Sequence, residues 1–591
     1  MKKNKFFIAI LLLAAGLVAC KKDFLERTPQ TSISDGDFWR SPNDLRLYVN
    51  SFYNDLPSYI QGYFTAGIFS EDDYQGTDNM VNRNYNRELN GERTLPSSGG
   101  GWSYGDWNAI RRVNYFLGKY QLAEGNQADI DKYLGEALFF KAWNYYGKLK
   151  AWGNLPWISN VVGISDSTEL YSPRLSRDIV ADSIIAVLDK AIELLPSKGA
   201  PGFESFRVYK ELAAAFQSRV ALYEGTWEKY HAGTEYGVAG SDGTRFLQKA
   251  VSAAKLVMDS KKFGLDNIGE PNGYWRLFNQ TNYAGSNEVM FWRQYNADDG
   301  NYTLIARYLK LGGGRGITKS LVDDYLSIDG LPIAVSPLYE GDETLLKEAS
   351  NRDPRLAQTI QINDGEHYLI DTVRFWHPTW EGANEDKDYT GYQLYKGLNT
   401  DGRQHEVGKG TQGLIYFRYA EVLLNYMEAK AELGQATQED ADATINLLRS
   451  RVGMPPLAIA SIVTDPNWIF PALSPLINEV RRERRIEFAA EGYRHDDIWR
   501  WAAADKLIKG WKPKGAKRAQ FENMTDANGN SYKSLVEGQY PVDENGYIFP
   551  YKNNVVGMNG YNFRIDRDYL LPLPTDQLLL NPNLEQNPGW E

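Results

Sequence analysis

For a chain of 591 residues, a formal net charge of −11 argues against a nucleic-acid partner and against a polybasic membrane surface. Length alone leaves room for about three or four domains. The single cysteine rules out an intramolecular disulfide framework.

The first elements set the compartment. Lys2, Lys3 and Lys5 form a basic n-region, and Phe6 to Leu13 an apolar stretch too short to span a bilayer. Leu17-Val18-Ala19-Cys20 then resembles a bacterial lipobox: an aliphatic residue, small residues, and a thiol at the cut. The expectation is a signal peptide over residues 1–19 and lipid on Cys20, with 20–41 as a lipidated linker. A second acyl signal on the freed amine makes such an anchor far firmer than one chain. No stretch after Leu17 is long and apolar enough for a transmembrane helix.

Helical periodicity follows. Asn43–Leu56 carries Leu45, Val49 and Phe52, and Trp107–Tyr120 repeats Ile110, Val113 and Leu117. Asp131–Trp152 is the strongest stretch, with Leu134, Leu138, Ala142, Tyr145 and Leu149 on one face, until Gly153 and Pro156 stop it. Arg177–Leu195, Tyr209–Tyr223 and Phe246–Met258 come next. Residues 264–410, rich in Gly, Asn, Asp and aromatics, predict long loops with a few strands. Helices return at Tyr416–Leu433, Glu439–Val452 and Ser474–Trp501, and the tail from 503 is loop, with turn signals at Asn528-Gly529 and Asn545-Gly546. Paired helices joined by short turns predict a mostly α fold, a tetratricopeptide-like α-α superhelix with a loop-rich part carrying a few short strands.

Four stretches, in order, resemble the SusD/RagB family of starch-utilisation-type lipoproteins. They are Cys20–Glu26, the helix opening Trp107-Asn-Ala-Ile-Arg-Arg-Val-Asn114, Val480–Trp501 (VRRERRIEFAAEGYRHDDIWRW) and Tyr569–Trp590 (YLLPLPTDQLLLNPNLEQNPGW). The resemblance implies one unit over 42–591. A helical scaffold would occupy about 42–260 and 415–502, a loop-rich ligand-binding part about 264–410 and 503–568, and a C-terminal clasp 569–591. It also implies a non-catalytic, cell-surface glycan-binding lipoprotein of the outer membrane. Such a protein captures oligosaccharide and passes it to a TonB-dependent transporter of SusC type. A peptide-capturing member of the family is the nearest alternative, and a surface glycosidase the alternative of another class.

The most recognisable motifs read as structure. Arg481, Arg482, Arg484 and Arg485 are interleaved with Glu479, Glu483, Glu487 and Glu491, which predicts an internal ion-pair network, for example Arg484 with Glu487 at i, i+3. Pro572, Pro574, Pro582 and Pro588 fix extended backbone in the clasp.

Chemical signatures are few. The five histidines stand apart, no G-x-S-x-G elbow occurs, and Gly312–Ser320 lacks the Gly-Lys order of a phosphate loop. No metal site and no cofactor are expected. Asp526, Asn528, Asn530 and Glu537 do fall at EF-type positions, but Ser531 replaces the turn glycine; a hairpin explains the spacing, with structural calcium as the alternative.

Aromatic residues make up 13% of the chain, 16 of them Trp and 38 Tyr, and a flat ring with a polar edge suits sugar stacking as well as core packing. The loops supply the candidates: Asp72, Asp73 and Arg83; Trp102 and Tyr104 after the glycines 99–101; Trp275, Tyr283, Trp292 and Tyr295; and Trp376. Trp102, with Asp72 and Asp73 as polar partners, is the preferred site.

Overall fold

The computed structural model describes residues 35–58, 69, 76–362, 367–371, 373–376, 378, 387–525 and 531–591. Cys20, Asp72, Asp73 and the Asp526–Asn530 turn therefore lie outside the described residues.

Helix α1 (Pro42–Val49) begins where Ser41 and Asp44 form a capping box and Pro42 takes the first turn, a position that needs no N–H. Two helices follow, α2 (Asn108–Leu117) and α3 (Gln127–Trp152). The Asn126 side chain caps α3 by accepting from the Asp129 N–H, and Gly153, at φ 68°, ends it. The scaffold continues through α4 (Arg177–Leu194), α5 (Lys210–Tyr230) and α6 (Thr244–Asp259). Sequential neighbours pack on each other: α1 and α2 on α3, α3 on α4, α4 on α5, α5 on α6. None of these helices can bury its apolar face alone, so the pairs stack into a superhelix. The fold is mostly helical, as its periodicity predicts.

After the short α7 (Gly273–Leu277), the chain returns to the scaffold with α8 (Tyr419–Glu432), α9 (Ile445–Arg451), α10 (Pro475–Glu487) and α11 (Arg494–Arg500). Helix α8 lies against α5, α6 and α10. The expected single helix over Ser474–Trp501 is in fact broken. Ala490 and Gly492 take φ of 59° and 79°, a left-handed kink that separates α10 from α11.

Strands are short and pair across long stretches of chain. β1 (Met80–Asn82) runs antiparallel to β3 (Arg315–Ile317), and β2 (Val289–Arg293) to β6 (Leu414–Arg418). β4 (His367–Ile370) and β5 (Val373–Trp376) form a hairpin. The β2–β6 pair ties the start of the loop-rich part to its end.

Two apolar clusters result. One fills the scaffold with residues such as Phe52, Phe139, Ile184, Phe216, Trp227 and Leu423; the other fills the loop-rich part around Tyr274, Ile317, Tyr325, Leu356 and Tyr392. Ile486, Ala489 and Ala490, at the end of α10, belong to the second. Helix α10 is thus enclosed on all sides, and its charges must be satisfied internally.

Most are satisfied between segments; Arg482, which donates to Glu479 at 2.9 Å, also pairs along the helix. Arg484 hydrogen-bonds Asp497 at 2.9 Å, not Glu487. Glu487 instead accepts from Arg451 at 2.6 Å, Arg418 at 2.7 Å and Arg355 at 3.0 Å. Arg485 and Arg494 converge on Asp78 next to β1. For Arg484 the i, i+3 spacing marked the right residue but not its partner, because a buried helix also meets counter-charges on the elements packed around it.

Asp388 is the opposite case. It is fully buried, and its Oδ1 has no hydrogen-bond partner among the described residues. Burial pushes its carboxyl up to about 7, against the opposing N–H groups of Gly391, Thr390 and Tyr389. Between pH 4 and 7 the unfolded chain loses this proton and the folded chain keeps it, so stability falls as pH rises, at about 1.4 kcal/mol per pH unit. Asp388→Asn is expected to remove that slope: urea denaturation will find the variant gaining on wild type from pH 5 to pH 7. Parallel stability curves over that range would refute the assignment.

Candidate functional site

Most of the aromatic candidates face inward. Trp102 is 4% exposed, packed edge-to-face on Trp107 and Trp152 with ring centroids 5.3 and 5.4 Å away. The glycine before it explains why: a Cβ on Gly101 would stand 2.8 Å from the Trp152 ring, so the bare backbone lets the loop pass close over α3. The Gly99–Gly101 run thus seats Trp102 in the scaffold core instead of presenting it, and Trp102 is not the open sugar platform the sequence suggested. Tyr283 and Trp292 pack on each other at 5.4 Å inside the loop-rich part, and both are buried, as is Tyr295. These three also are core.

The remaining candidates are scattered. Tyr104 is exposed, on the turn that leads into α2. Arg83 is half-buried just past β1, its backbone N–H donating to Gly314 O at 2.8 Å. Trp376 ends β5 opposite His367; its side chain is outside the described residues.

Trp275 stands out. Asn272, at φ 57°, turns the chain into α7, and the helix then splits two neighbouring rings. Tyr274 points inward, its hydroxyl donating to Glu487 O at 2.5 Å and accepting from Lys396 Nζ at 2.6 Å. Trp275 points outward and stays half-buried, stacked on Tyr395 with centroids 5.1 Å apart and planes 9° apart. Its Nε1–H donates to Tyr395 O at 3.1 Å, and its backbone N–H to Gln358 Oε1 at 3.0 Å. Lys396, next to Tyr395, is fully buried and pairs with Glu491 at 2.6 Å.

Two parallel rings are therefore held from behind by a buried lysine and tyrosine. Around them lie an exposed Arg276–Glu270 pair at 2.8 Å and the exposed Gln280, whose amide donates to Arg276 O. A flat apolar face with polar groups at its rim can stack on a ring while bonding to its substituents.

Tyr395 was not among the sequence candidates. Nothing in Gly391-Tyr-Gln-Leu-Tyr-Lys-Gly397 separates it from Tyr392. Only the fold shows Tyr392 buried with its hydroxyl on Glu348, and Tyr395 turned out beside Trp275.

A superhelix of antiparallel helix pairs carrying a loop-rich half with an aromatic face defines a tetratricopeptide-like scaffold protein. The comparisons then narrow the class. The SusD family model matches residues 275–590, over half of the sequence, and a second model, described as starch-binding associating with outer membrane, matches residues 23–222. The chain belongs to the SusD family. SusD-like protein P2 of Formosa agariphila is 25% identical over 609 residues, covering 100% of both chains. Among solved structures, a SusD-like carbohydrate binding protein from Bacteroides fragilis aligns with a TM-score of 0.67 at 22% identity, over 93% of this chain and 100% of that one. A laminarin binding SusD-like protein aligns with a TM-score of 0.56 at 17% identity, over 93% and 100%. At these identities the solved structures speak for the fold.

Proposed function

We propose that this protein captures oligosaccharide at the outer face of the outer membrane, held there by lipid on Cys20, and delivers it unbroken to a TonB-dependent transporter. The observation that carries the reading is the Trp275–Tyr395 stack, two parallel half-buried rings on a rigid support. A pyranose offers an apolar C–H face to such rings and hydroxyls to the rim. Relatives named for carbohydrate, laminarin and glycan binding support the ligand class. No helix among the described residues is long and apolar enough to cross a membrane, which is compatible with a lipid tether.

The test is a glycan array followed by calorimetry. Trp275→Ala is expected to weaken binding of the selected glycan roughly tenfold, about 1.4 kcal/mol. Tyr395→Ala should act in the same direction. The ligand should be recovered intact; release of new reducing ends would mark a glycosidase. Equal affinity in wild type and both variants would remove this face as the site.

A further inference from the structure

Away from the Trp275 face, two neighbouring hollows in the scaffold, of about 270 and 520 Å³, both have Gly147 of α3 in their lining. Both are lined by Lys150, Tyr223 and Asp496 as well. Side by side they make a cleft region between α3 and α5 on one side and α11 on the other, and the larger hollow is in the size range of small-ligand sites, roughly 300–1,000 Å³.

Gly147 is the odd feature. It sits exposed in the interior of a 26-residue helix, where glycine is among the poorest choices. The other glycine of that helix has a packing reason: a Cβ on Gly135 would stand 2.8 Å from Leu195. A Cβ on Gly147 would meet nothing within 4 Å. Packing does not account for it; an open cleft does.

The walls carry unused bonding capacity. Tyr146 and Tyr223 are buried, with rings edge-to-face at 5.7 Å, and neither hydroxyl has a hydrogen-bond partner among the described residues. Neither hydroxyl is sealed from solvent, so each can bond a ligand in the cleft. Lys150 and Asp496 pair at 2.7 Å and remain partly exposed, so each keeps further donor or acceptor positions. His495 lies flat on Trp499, centroids 3.9 Å apart, and the ring stack lines the same cleft. Charge is balanced throughout, since Arg93 pairs with Glu88 and Arg219 with Glu421. A balanced wall favours an uncharged ligand with many hydroxyls.

We infer that the cleft over Gly147 is a second saccharide site, taking a short neutral oligosaccharide whose hydroxyls bond Tyr146, Tyr223, Lys150 and Asp496. The inference rests on the glycan-binding reading for its ligand class, not for its location.

The experiment uses the mature full-length protein titrated with maltohexaose, cellohexaose, laminarihexaose and xylohexaose. Calorimetry reads total binding, and the imidazole NMR signal of His495, assigned by His495→Gln, reads the cleft. At least one saccharide is expected to shift that signal, and the shift should survive Trp275→Ala. It should vanish in Gly147→Trp, whose ring would fill the cleft, with the melting temperature confirming that the variant folds. Tyr223→Phe, which deletes only a hydroxyl, should weaken the cleft response about fivefold and serves if the tryptophan variant fails to fold. A saccharide that binds through Trp275 yet leaves His495 unmoved overturns the cleft and spares the function. A His495 shift unchanged in folded Gly147→Trp, or in Tyr223→Phe, also overturns it. No binding of any kind sinks both.

Discussion

Glu487→Ala is expected to cost about 3–5 kcal/mol of stability, read as a lower midpoint in urea, because it breaks a buried ionic cluster from its centre. The Glu487 carboxylate accepts from Arg355, Arg418 and Arg451, and all four side chains are buried. Burial alone would raise its carboxyl, but the guanidiniums of Arg451, Arg418 and Arg355 more than offset this and hold it far below the ordinary range. Removing it leaves three arginines competing for Glu288, Glu483, Glu491 and Asp353. Those arginines come from the ends of β6 and α9 and from Pro354–Thr359, so the damage should reach both apolar clusters at once. The pH sign follows from the depressed carboxyl. Its contribution is complete above the unfolded value near 4.5 and is lost as pH falls toward the folded value. Wild type and variant should therefore differ most at neutral pH and approach one another in acid. A variant within about 0.5 kcal/mol of wild type, the scale of ordinary surface substitutions, would mean that the cluster is replaceable.

Cys20→Ala is expected to abolish incorporation of labelled fatty acid and to remove the protein from the outer-membrane fraction. The argument is chemical: the diacylglyceryl group needs a thiol, and this chain has one cysteine. Each buried CH₂ adds about 0.8 kcal/mol to membrane binding, so losing every acyl chain is a loss without partial compensation. Protease treatment of intact cells completes the test, since a surface protein is digested and a periplasmic one is spared. Retention of the variant at the outer membrane would reveal another anchor.

Much of the scaffold was legible because helical period is written locally. Asp131–Trp152 announces itself through every third or fourth residue, and the stop at Gly153 is visible in the sequence. The alternation of Arg and Glu in 479–491 likewise foretold buried pairs, since such density on a solvent face needs no partners at all. What failed were statements about direction. A tryptophan after three glycines reads the same whether the loop offers it to solvent or folds it over a helix, and the deciding contact, Gly101 against Trp152, joins residues 51 positions apart. Tyr395 was invisible for the same reason. Its meaning depends on Trp275, on the other side of β2 and β3. The kink at Ala490 was hidden because alanine is a strong helix former, and its left-handed backbone shows only in the fold, where α11 turns away to pack against α5.

The last segment of chain has a consequence for how the molecule is made. Leu571 N–H bonds Ala151 O, the Asn587 amide bonds Trp152 O, and Arg174 reaches Glu585 O and the Asn587 side chain. Early helices thus wait for residues synthesised more than 400 positions later before their ends are sealed. Synthesis from the N-terminus therefore leaves the carbonyls that end α3 without these partners until the closing stretch is made, which ties completion of the scaffold to the far end of the chain.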